Sequence, residues 1–212
     1  MDPLFGQGYP KDVLEYLGQD TPQVLDGDMA AISQGMDFLG INYYSRSVIS
    51  AKGPWDVHSS GRAVTDMGWE VYPEGLTELL VRLDQDYEVP PLFVTENGGA
   101  FKDTLINGRV HDQDRTSYIA QHIAAVAEAK RLGVNMGGYM VWSLLDNFEW
   151  ASGYEKRFGI VHVDYTTQNR TLKDSALWYR DFLLTTNART EKIPSPLDQK
   201  PASSLELEAT GA

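Results

Sequence analysis

Three short apolar segments alternate with amphipathic helices along this chain, and that order constrains its fold more than any other feature. The segments are residues 37–44, 92–96 and 138–143, and the helical patterns between them cover 73–87 and 112–133. Strands that alternate with helices in this way are typical of parallel βαβ units. The sequence therefore predicts an α/β fold with a parallel sheet of three strands.

Three βα units account for only part of a closed barrel of eight strands, which takes roughly 250 residues. We therefore interpret residues 1–188 as a partial (β/α)8 barrel, or TIM barrel. An open three-stranded sheet is the alternative, although it would leave apolar edges and an inner face uncovered. Residues 189–212 are polar and rich in proline, and we predict a disordered C-terminal tail there.

The regions beside these units have weaker patterns. Thr21 predicts the start of a short helix, and Asp174 predicts the N-cap of a final one. Residues 158–165 alternate like one arm of a hairpin, whereas residues 97–111 are predicted to form a loop. None of these segments changes the predicted order of the three βα units.

Charge and composition restrict the classes of partner. The net charge of −12 argues against binding to nucleic acid or to an anionic membrane surface. The chain contains no cysteine, which excludes disulfides and thiolate chemistry and fits a reducing cytoplasm. The longest apolar stretch, around residues 139–145, is too short to span a bilayer, and the first residues lack the pattern of a signal peptide. We therefore expect a cytoplasmic protein without a membrane partner.

Glu96 follows the apolar run Phe93-Val94-Thr95 and precedes Asn97-Gly98-Gly99. A lone glutamate at a strand end is most often a solvated side chain, but a parallel barrel presents its catalytic groups at this end of its strands. The two glycines permit a tight turn that would aim the Glu96 side chain inward. A carboxylate fixed in this way suits the nucleophile of a retaining glycosidase, which forms a covalent bond to the anomeric carbon.

A second segment of interest runs from Trp142 to Trp150, where two tryptophans bracket acids and amides. Core packing is the ordinary role of such aromatic residues, and we predict it for Phe148. For the tryptophans the alternative is carbohydrate binding, because flat aromatic faces pack on the C–H face of a sugar ring. Glu149 could accept hydrogen bonds from two neighbouring sugar hydroxyls. Together with Glu96, this segment predicts half of a sugar-cleaving site.

The first strand ends in Asn42-Tyr43-Tyr44. Packing is the default role of such a tyrosine pair. The alternative is that one tyrosine hydroxyl donates a hydrogen bond to the Glu96 carboxylate, which would hold its geometry and favour its ionised form.

The sequence does not supply an obvious second catalytic carboxylate. A retaining mechanism needs a partner acid about 5–5.5 Å from the nucleophile. The candidates are Asp146, Glu149, Glu70 and Glu155, and none has a recognisable acid/base setting. The four histidines fall in no metal-binding spacing, and no glycine-rich phosphate loop follows a strand. We therefore predict neither a metal site nor a cofactor.

These segments resemble motifs of family 1 glycoside hydrolases, the β-glucosidase family. The resemblance covers residues 1–187 and rests on several segments that stand in the family's order. They are residues 38–44, 93–98, 142–150, 157–163 and 170–175. Residues 93–98 resemble the nucleophile motif, and residues 142–150 resemble the glycone-binding motif on the last strand of the barrel.

This resemblance implies that Glu96 is the catalytic nucleophile, that Tyr44 is its hydrogen-bond partner and that Asn42 lies near the nucleophile. The glycone would be bound by Trp142, Glu149 and Trp150, with Phe158 near the outer rim of the site. A carboxylate at position 149 would repel phosphate. The resemblance therefore implies an unphosphorylated β-glucoside, galactoside or fucoside as substrate.

The family's acid/base glutamate lies in an Asn-Glu-Pro motif on the fourth strand, and that tripeptide is absent from this sequence. The resemblance therefore implies the C-terminal portion of the barrel, about three βα units, with the acid/base supplied by a missing N-terminal half. The alternatives are a catalytically inactive half-barrel that self-associates as a scaffold, or a weak sugar-binding protein.

Overall fold

A parallel sheet of three strands, covered on one face by two long helices, forms the centre of the molecule in a computed structural model that describes residues 1–53 and 56–190. The helices are α1 (Lys11–Leu17), α2 (Asp28–Ile32), α3 (Pro73–Asp86), α4 (Gln113–Arg131) and α5 (Asp174–Thr190). The strands are β1 (Leu39–Asn42), β2 (Leu92–Asn97), β3 (Leu105–Ile106), β4 (Arg109–Val110), β5 (Met136–Val141), β6 (Val161–Val163) and β7 (Arg170–Leu172).

Strand β2 lies in the middle of the sheet, and both of its neighbours run parallel to it. Leu39 of β1 and Met136 of β5 both lie opposite Leu92 in the register. Helix α3 connects β1 to β2, and α4 connects β2 to β5. The predicted order of parallel βαβ units is therefore confirmed.

The core lies between the sheet and helices α3 and α4. Leu92 and Val94 of β2 pack against Leu76 and Leu80 of α3, and all four side chains are fully buried. Burial of each such side chain stabilises the fold by about 1.5–3 kcal/mol relative to exposure. The buried side chains on the helix-facing side of the sheet therefore hold β2 and α3 together.

The opposite face of the sheet is open. Phe93 and Thr95 alternate with the core residues of β2 and are only half-buried, and Met140 of β5 is 50% exposed. Within the described part of the chain, the outer edges of β1 and β5 pair with no further strand. This sheet thus has two free edges and an uncovered apolar face.

Several predicted boundaries are wrong. Helix α2 begins at Asp28 rather than Thr21, because Gly27 has a φ of 92° and the Asp28 carboxylate accepts a hydrogen bond from the Leu25 backbone N–H. The third strand begins two residues earlier than predicted, at Met136. The predicted loop 97–111 contains the hairpin of β3 and β4, which turns at two residues of positive φ in an Asn-Gly pair.

The C-terminal part agrees more closely with expectation. Strands β6 and β7 form the predicted hairpin. Asp174 is the first residue of α5 rather than its N-cap, and its carboxylate binds Arg109 and His111. Helix α5 continues two residues into the predicted tail, whose remaining residues, 191–212, lie outside the described part of the chain. No helix in the described ranges is long and apolar enough to span a membrane.

We expect acid to destabilise this fold through His122, whose side chain is fully buried against the Tyr118 ring. Burial lowers the pKa of His122 to about 4 from its ordinary 6.5. The unfolded chain therefore binds this proton first as the pH falls. The free energy of unfolding should decrease by up to about 3 kcal/mol between pH 6.5 and pH 4. Urea unfolding at a series of pH values measures this slope.

A matched pair of variants isolates this contribution. His122→Phe should flatten the pH slope between 6.5 and 4, whereas His58→Gln, a change at an exposed histidine, should leave it unchanged. The assignment to His122 would be refuted by equal slopes in the unmodified chain and the His122→Phe variant.

Candidate active site

An irregularity at the end of β2 determines where Glu96 points. Strict alternation would place Glu96 on the helix side with Leu92 and Val94. The register of β2 against β5 shifts between Val94 and Asn97, and Asn97 turns instead toward the helix side. There the Asn97 amide donates to the Tyr43 carbonyl over 2.7 Å and accepts from the Tyr139 hydroxyl over 2.6 Å. The Glu96 carboxylate is thereby left at the open end of the sheet.

Tyr44 holds the Glu96 carboxylate directly. Its hydroxyl donates to Glu96 Oε2 over 2.5 Å, and its backbone carbonyl accepts a hydrogen bond from Tyr118 over 2.8 Å. Burial, together with the bond to Glu96, raises the pKa of Tyr44 well above its usual range. The Tyr44 hydroxyl therefore stays protonated and remains a donor to the carboxylate at any ordinary pH.

Asn42 lies opposite Glu96 in the register of β1 and β2. Its side-chain oxygen accepts a hydrogen bond from Thr95 Oγ1 over 2.7 Å, and the residue is exposed. The structure thus brings Asn42, Tyr44 and Glu96 together at the carboxyl ends of two neighbouring strands.

The segment from Trp142 to Trp150 adjoins this group because the Trp142 N–H donates to the Asn97 carbonyl over 2.8 Å. Trp142 and Glu149 are half-buried, whereas Trp150 is 82% exposed. Burial raises the pKa of Glu149, the negative charge of Glu96 adds to this rise, and a hydrogen bond from the Trp142 side chain opposes it. Glu149 and Glu96 are therefore close enough for their charges to interact.

Phe158, which the resemblance places near the outer rim of the glycone site, is buried beside Tyr44. Its ring is 2% exposed and contacts the rings of Tyr44 and Trp69, with centroid distances of 6.1 Å to each. Phe158 thus packs against Tyr44 in this chain, and its place near the glycone stays a prediction.

Phe148, predicted as a core residue, is 58% exposed, and its ring contacts that of Tyr154 edge-on. The prediction of core packing for this residue is therefore wrong. Phe148 lies on the same loop as Trp150, and both residues are exposed.

Two of the candidate partner carboxylates, Asp146 and Glu70, are held in ion pairs. Asp146 is paired with Lys173 and Arg157. Glu70 is paired with Arg46, which lowers its pKa, whereas a general acid needs a raised pKa. Asp146 and Glu70 are therefore unsuited to the role of general acid, and Glu155 is exposed to solvent. Glu149 does have a raised pKa, but the resemblance assigns it to sugar binding.

Trp69 belongs to the site but was missed in the sequence. It lies in the irregular segment 45–72, and its ring contacts Tyr44 and Phe158. Trp69 also lines a pocket of ≈ 550 Å³ with Asn42 and Tyr44. No local periodicity marks this tryptophan, so only its position after folding identifies it.

A larger pocket, of ≈ 890 Å³, lies away from these residues, between the N-terminal segment near Phe5 and the end of α3 near Tyr87. It is lined by none of the predicted site residues, whereas the smaller pocket is lined by Asn42 and Tyr44, the latter of which binds Glu96. Among the residues that the structure describes, no cluster of three or more acidic or histidine side chains could hold a metal ion.

Tyr44→Phe is expected to slow any reaction of the Glu96 carboxylate by about 10- to 100-fold, because a hydrogen bond to a charged group contributes roughly 1.5–3 kcal/mol. The ring and its contacts with Trp69 and Phe158 are kept in this variant. The rate of covalent labelling by an activated 2-fluoroglucoside measures the effect. Tyr43→Phe is the control, because the Tyr43 hydroxyl donates to the Tyr72 carbonyl instead. Equal labelling rates in the two variants would contradict a direct role for Tyr44.

Comparison with known proteins places the chain in a family. The family model described as "Glycosyl hydrolase family 1" matches residues 1–188. Beta-glucosidase A of Thermotoga maritima is 45% identical over 184 residues, which are 84% of this chain and 41% of that protein. A beta-glucosidase of Agrobacterium sp. is 42% identical over 186 residues, which are 84% of this chain and 40% of the Agrobacterium protein. The chain thus spans about two fifths of these curated relatives.

Solved structures agree with the sequence comparison. A beta-glucosidase from Exiguobacterium antarcticum has 43% identity and a TM-score of 0.80, and the match covers 88% of this chain and 44% of that one. The Thermotoga maritima beta-glucosidase in complex with methoxycarbonyl-substituted glucoimidazole has 41% identity and a TM-score of 0.76. That match covers 86% of this chain and 43% of the Thermotoga chain. The three βα units are therefore part of a (β/α)8 barrel, as predicted. The chain belongs to glycosyl hydrolase family 1.

Proposed function

We propose that this chain supplies the nucleophile half of a retaining β-glycosidase that acts on unphosphorylated β-D-glucosides. One observation carries the proposal: the Glu96 carboxylate stands at the carboxyl end of the central strand with the Tyr44 hydroxyl on its Oε2 atom. Relatives that are 40–45% identical are named as beta-glucosidases, which supports the reaction class.

In this proposal, a carboxylate oxygen of Glu96 forms a bond to the anomeric carbon of the sugar. The bond from that carbon to the aglycone oxygen breaks, and the aglycone leaves with the electron pair. Water then releases the sugar from Glu96 in a second step. An ordinary aglycone takes a proton from a general acid as it departs, and we propose that this acid, a glutamate, comes from outside this chain.

Three further side chains would define the sugar. The half-buried carboxylate of Glu149 would accept hydrogen bonds from sugar hydroxyls and repel a phosphate group. Trp142 and the exposed Trp150 would provide flat faces for the ring. Because Glu149 has a raised pKa, its affinity for the sugar should weaken as the pH falls and this carboxylate becomes protonated.

The partner that would complete the site is a polypeptide that carries the remaining βα units of a family 1 barrel. Two free strand edges and the uncovered face around Phe93 and Met140 are suited to further parallel strands. Self-association is the alternative way of covering this face. The net charge of −12 on every copy opposes it.

Reconstitution tests this proposal. The chain would be mixed with the segment of Thermotoga maritima beta-glucosidase A that precedes its matched region. We expect a one-to-one complex that hydrolyses an unactivated β-glucoside, while neither part does so alone. Glu96→Gln in this chain is the control and should form the same complex without turnover. A stable complex without any turnover would refute the proposed function, whereas a self-associated chain that ignores the added segment would favour the scaffold alternative.

A further inference from the structure

A cluster of buried charges lies behind the loops that bear the candidate site. We call it the buried charge cluster, and its members are Asp103, Asp112, Arg115, Asp146, Arg157 and Lys173. The side chains of five members are at most 1% exposed, and that of Arg157 is 21% exposed. Three carboxylates thus face three cations, so the cluster is balanced in charge.

Lys173 is the link between the two site loops. Its Nζ atom donates to Asp103 Oδ2 over 2.5 Å and to Asp146 Oδ1 over 2.8 Å. Asp103 follows Glu96 by seven residues, and Asp146 precedes Glu149 by three. One buried ammonium group therefore connects the loop after the nucleophile strand to the loop that carries the proposed sugar ligands.

Asp146 is held on its other sides as well. Its carboxylate accepts hydrogen bonds from the backbone N–H groups of Gly159 and Val163, over 3.1 and 3.3 Å, and from Arg157 over 2.5 Å. A side chain at Gly159 would collide with this segment, because a Cβ atom there would lie 2.1 Å from the Asp146 backbone nitrogen. The middle of the loop is thus fixed by contacts that depend on the orientation of one carboxylate.

We infer that Lys173 is a positioning residue, which sets the Trp142–Trp150 segment relative to Glu96 by bridging Asp146 to Asp103. This inference rests on the proposed function for its catalytic meaning. Stability alone is a poor explanation of the bridge, since buried ion pairs can often be replaced by apolar side chains without loss of stability. Lys173 also loses solvation on burial, which lowers its pKa, so its two carboxylate partners are needed to keep it charged.

The double variant Lys173→Met/Asp103→Asn separates the bridge from the charge balance. In that variant Asp146 keeps Arg157, and Arg115 keeps Asp112, so no buried charge is left without a partner. The full chain would be labelled with 5-fluorotryptophan, with its ¹⁹F signals assigned by single Trp→Phe changes. We expect the signals of Trp142 and Trp150 to move while that of Trp178 on α5 does not.

The same variant should also label more slowly at Glu96. Misplacement of a binding group by about 1 Å can reduce a rate roughly 100-fold, so we expect a loss of about 10- to 100-fold with an activated 2-fluoroglucoside. The matched control is Ser175→Ala. Ser175 is equally buried but donates to Asp112, at the end of the cluster away from the loop. This control should leave the Trp142 and Trp150 signals unchanged.

Each remaining outcome decides the inference. Unchanged Trp142 and Trp150 signals in a folded double variant would overturn it. Loss of the folded state would also overturn it, because Lys173 would then serve the whole fold rather than one loop. If the unmodified chain is not labelled at all, the proposed function fails, whereas the ¹⁹F comparison still tests the positioning role.

Discussion

Glu96→Gln is expected to slow the release of dinitrophenolate from 2,4-dinitrophenyl β-D-glucoside by at least about 10⁴-fold, the scale observed when a nucleophile is removed from an enzyme. The amide keeps the shape of the side chain and can still accept the Tyr44 hydrogen bond. It cannot form a stable glycosyl ester. Because dinitrophenolate departs without a proton, the reaction reports on the nucleophile and does not depend on the general acid that we propose lies outside this chain.

Glu155→Gln is the matched control for this prediction. Glu155 lies in the same C-terminal region but is exposed to solvent. The identical change of charge at that position should alter the rate by less than about threefold, since an isolated surface charge contributes little. A Glu96→Gln variant that retains a rate within tenfold of the unmodified chain would show that another group is the nucleophile.

Gly98→Ala is expected to destabilise the chain by at least about 3 kcal/mol, at the upper end of the cost of overpacking. A Cβ atom at Gly98 would lie 1.6 Å from the backbone oxygen of Trp142. Neither the Cβ atom nor the Trp142 oxygen can rotate away, because the backbone fixes the positions of both where β2 and β5 end side by side. The change would therefore separate the Glu96 end of β2 from the Trp142 segment. Chemical denaturation and the labelling rate at Glu96 should both report the loss.

Gly35→Ala provides the comparison for this substitution. No atom lies within 4 Å of a Cβ placed at Gly35, and its φ is not positive. We expect a change in unfolding free energy within about 0.5 kcal/mol, as for other unconstrained surface positions. A Gly98→Ala variant that is as stable as Gly35→Ala would mean that the two strand ends are not as close as described.

Much of the architecture could be predicted because its signals are local. The helical spacing of Leu76, Leu80 and Leu83 predicts the buried face of α3, and these three side chains are indeed buried. The apolar run before Glu96 likewise predicts β2. The boundaries of α2 and β5 were harder to predict, because a single positive φ at Gly27 or a shift in register leaves little trace in periodicity.

The reasons for particular residues at the site could not be predicted. Gly98 was expected to permit a tight turn, but its φ is not positive, and it is needed because the Trp142 carbonyl approaches closely. Nothing in the sequence indicates that Asn97 turns toward Tyr139 and so leaves the Glu96 carboxylate at the open end of the sheet. Lys173 binds Asp103 and Asp146, which precede it by 70 and 27 positions in the sequence. Contacts at such separations have no local pattern and emerge only when the strands are placed side by side.

The most direct test of the account is mass spectrometry of the purified chain after incubation with 2,4-dinitrophenyl 2-deoxy-2-fluoro-β-D-glucoside. The fluorine slows release of the covalent intermediate, and the leaving group needs no general acid. We predict one glycosyl adduct per chain, which peptide mapping would locate on Glu96. A folded chain with no adduct, or with an adduct on a different residue, would contradict the claim that this chain holds an assembled nucleophile site.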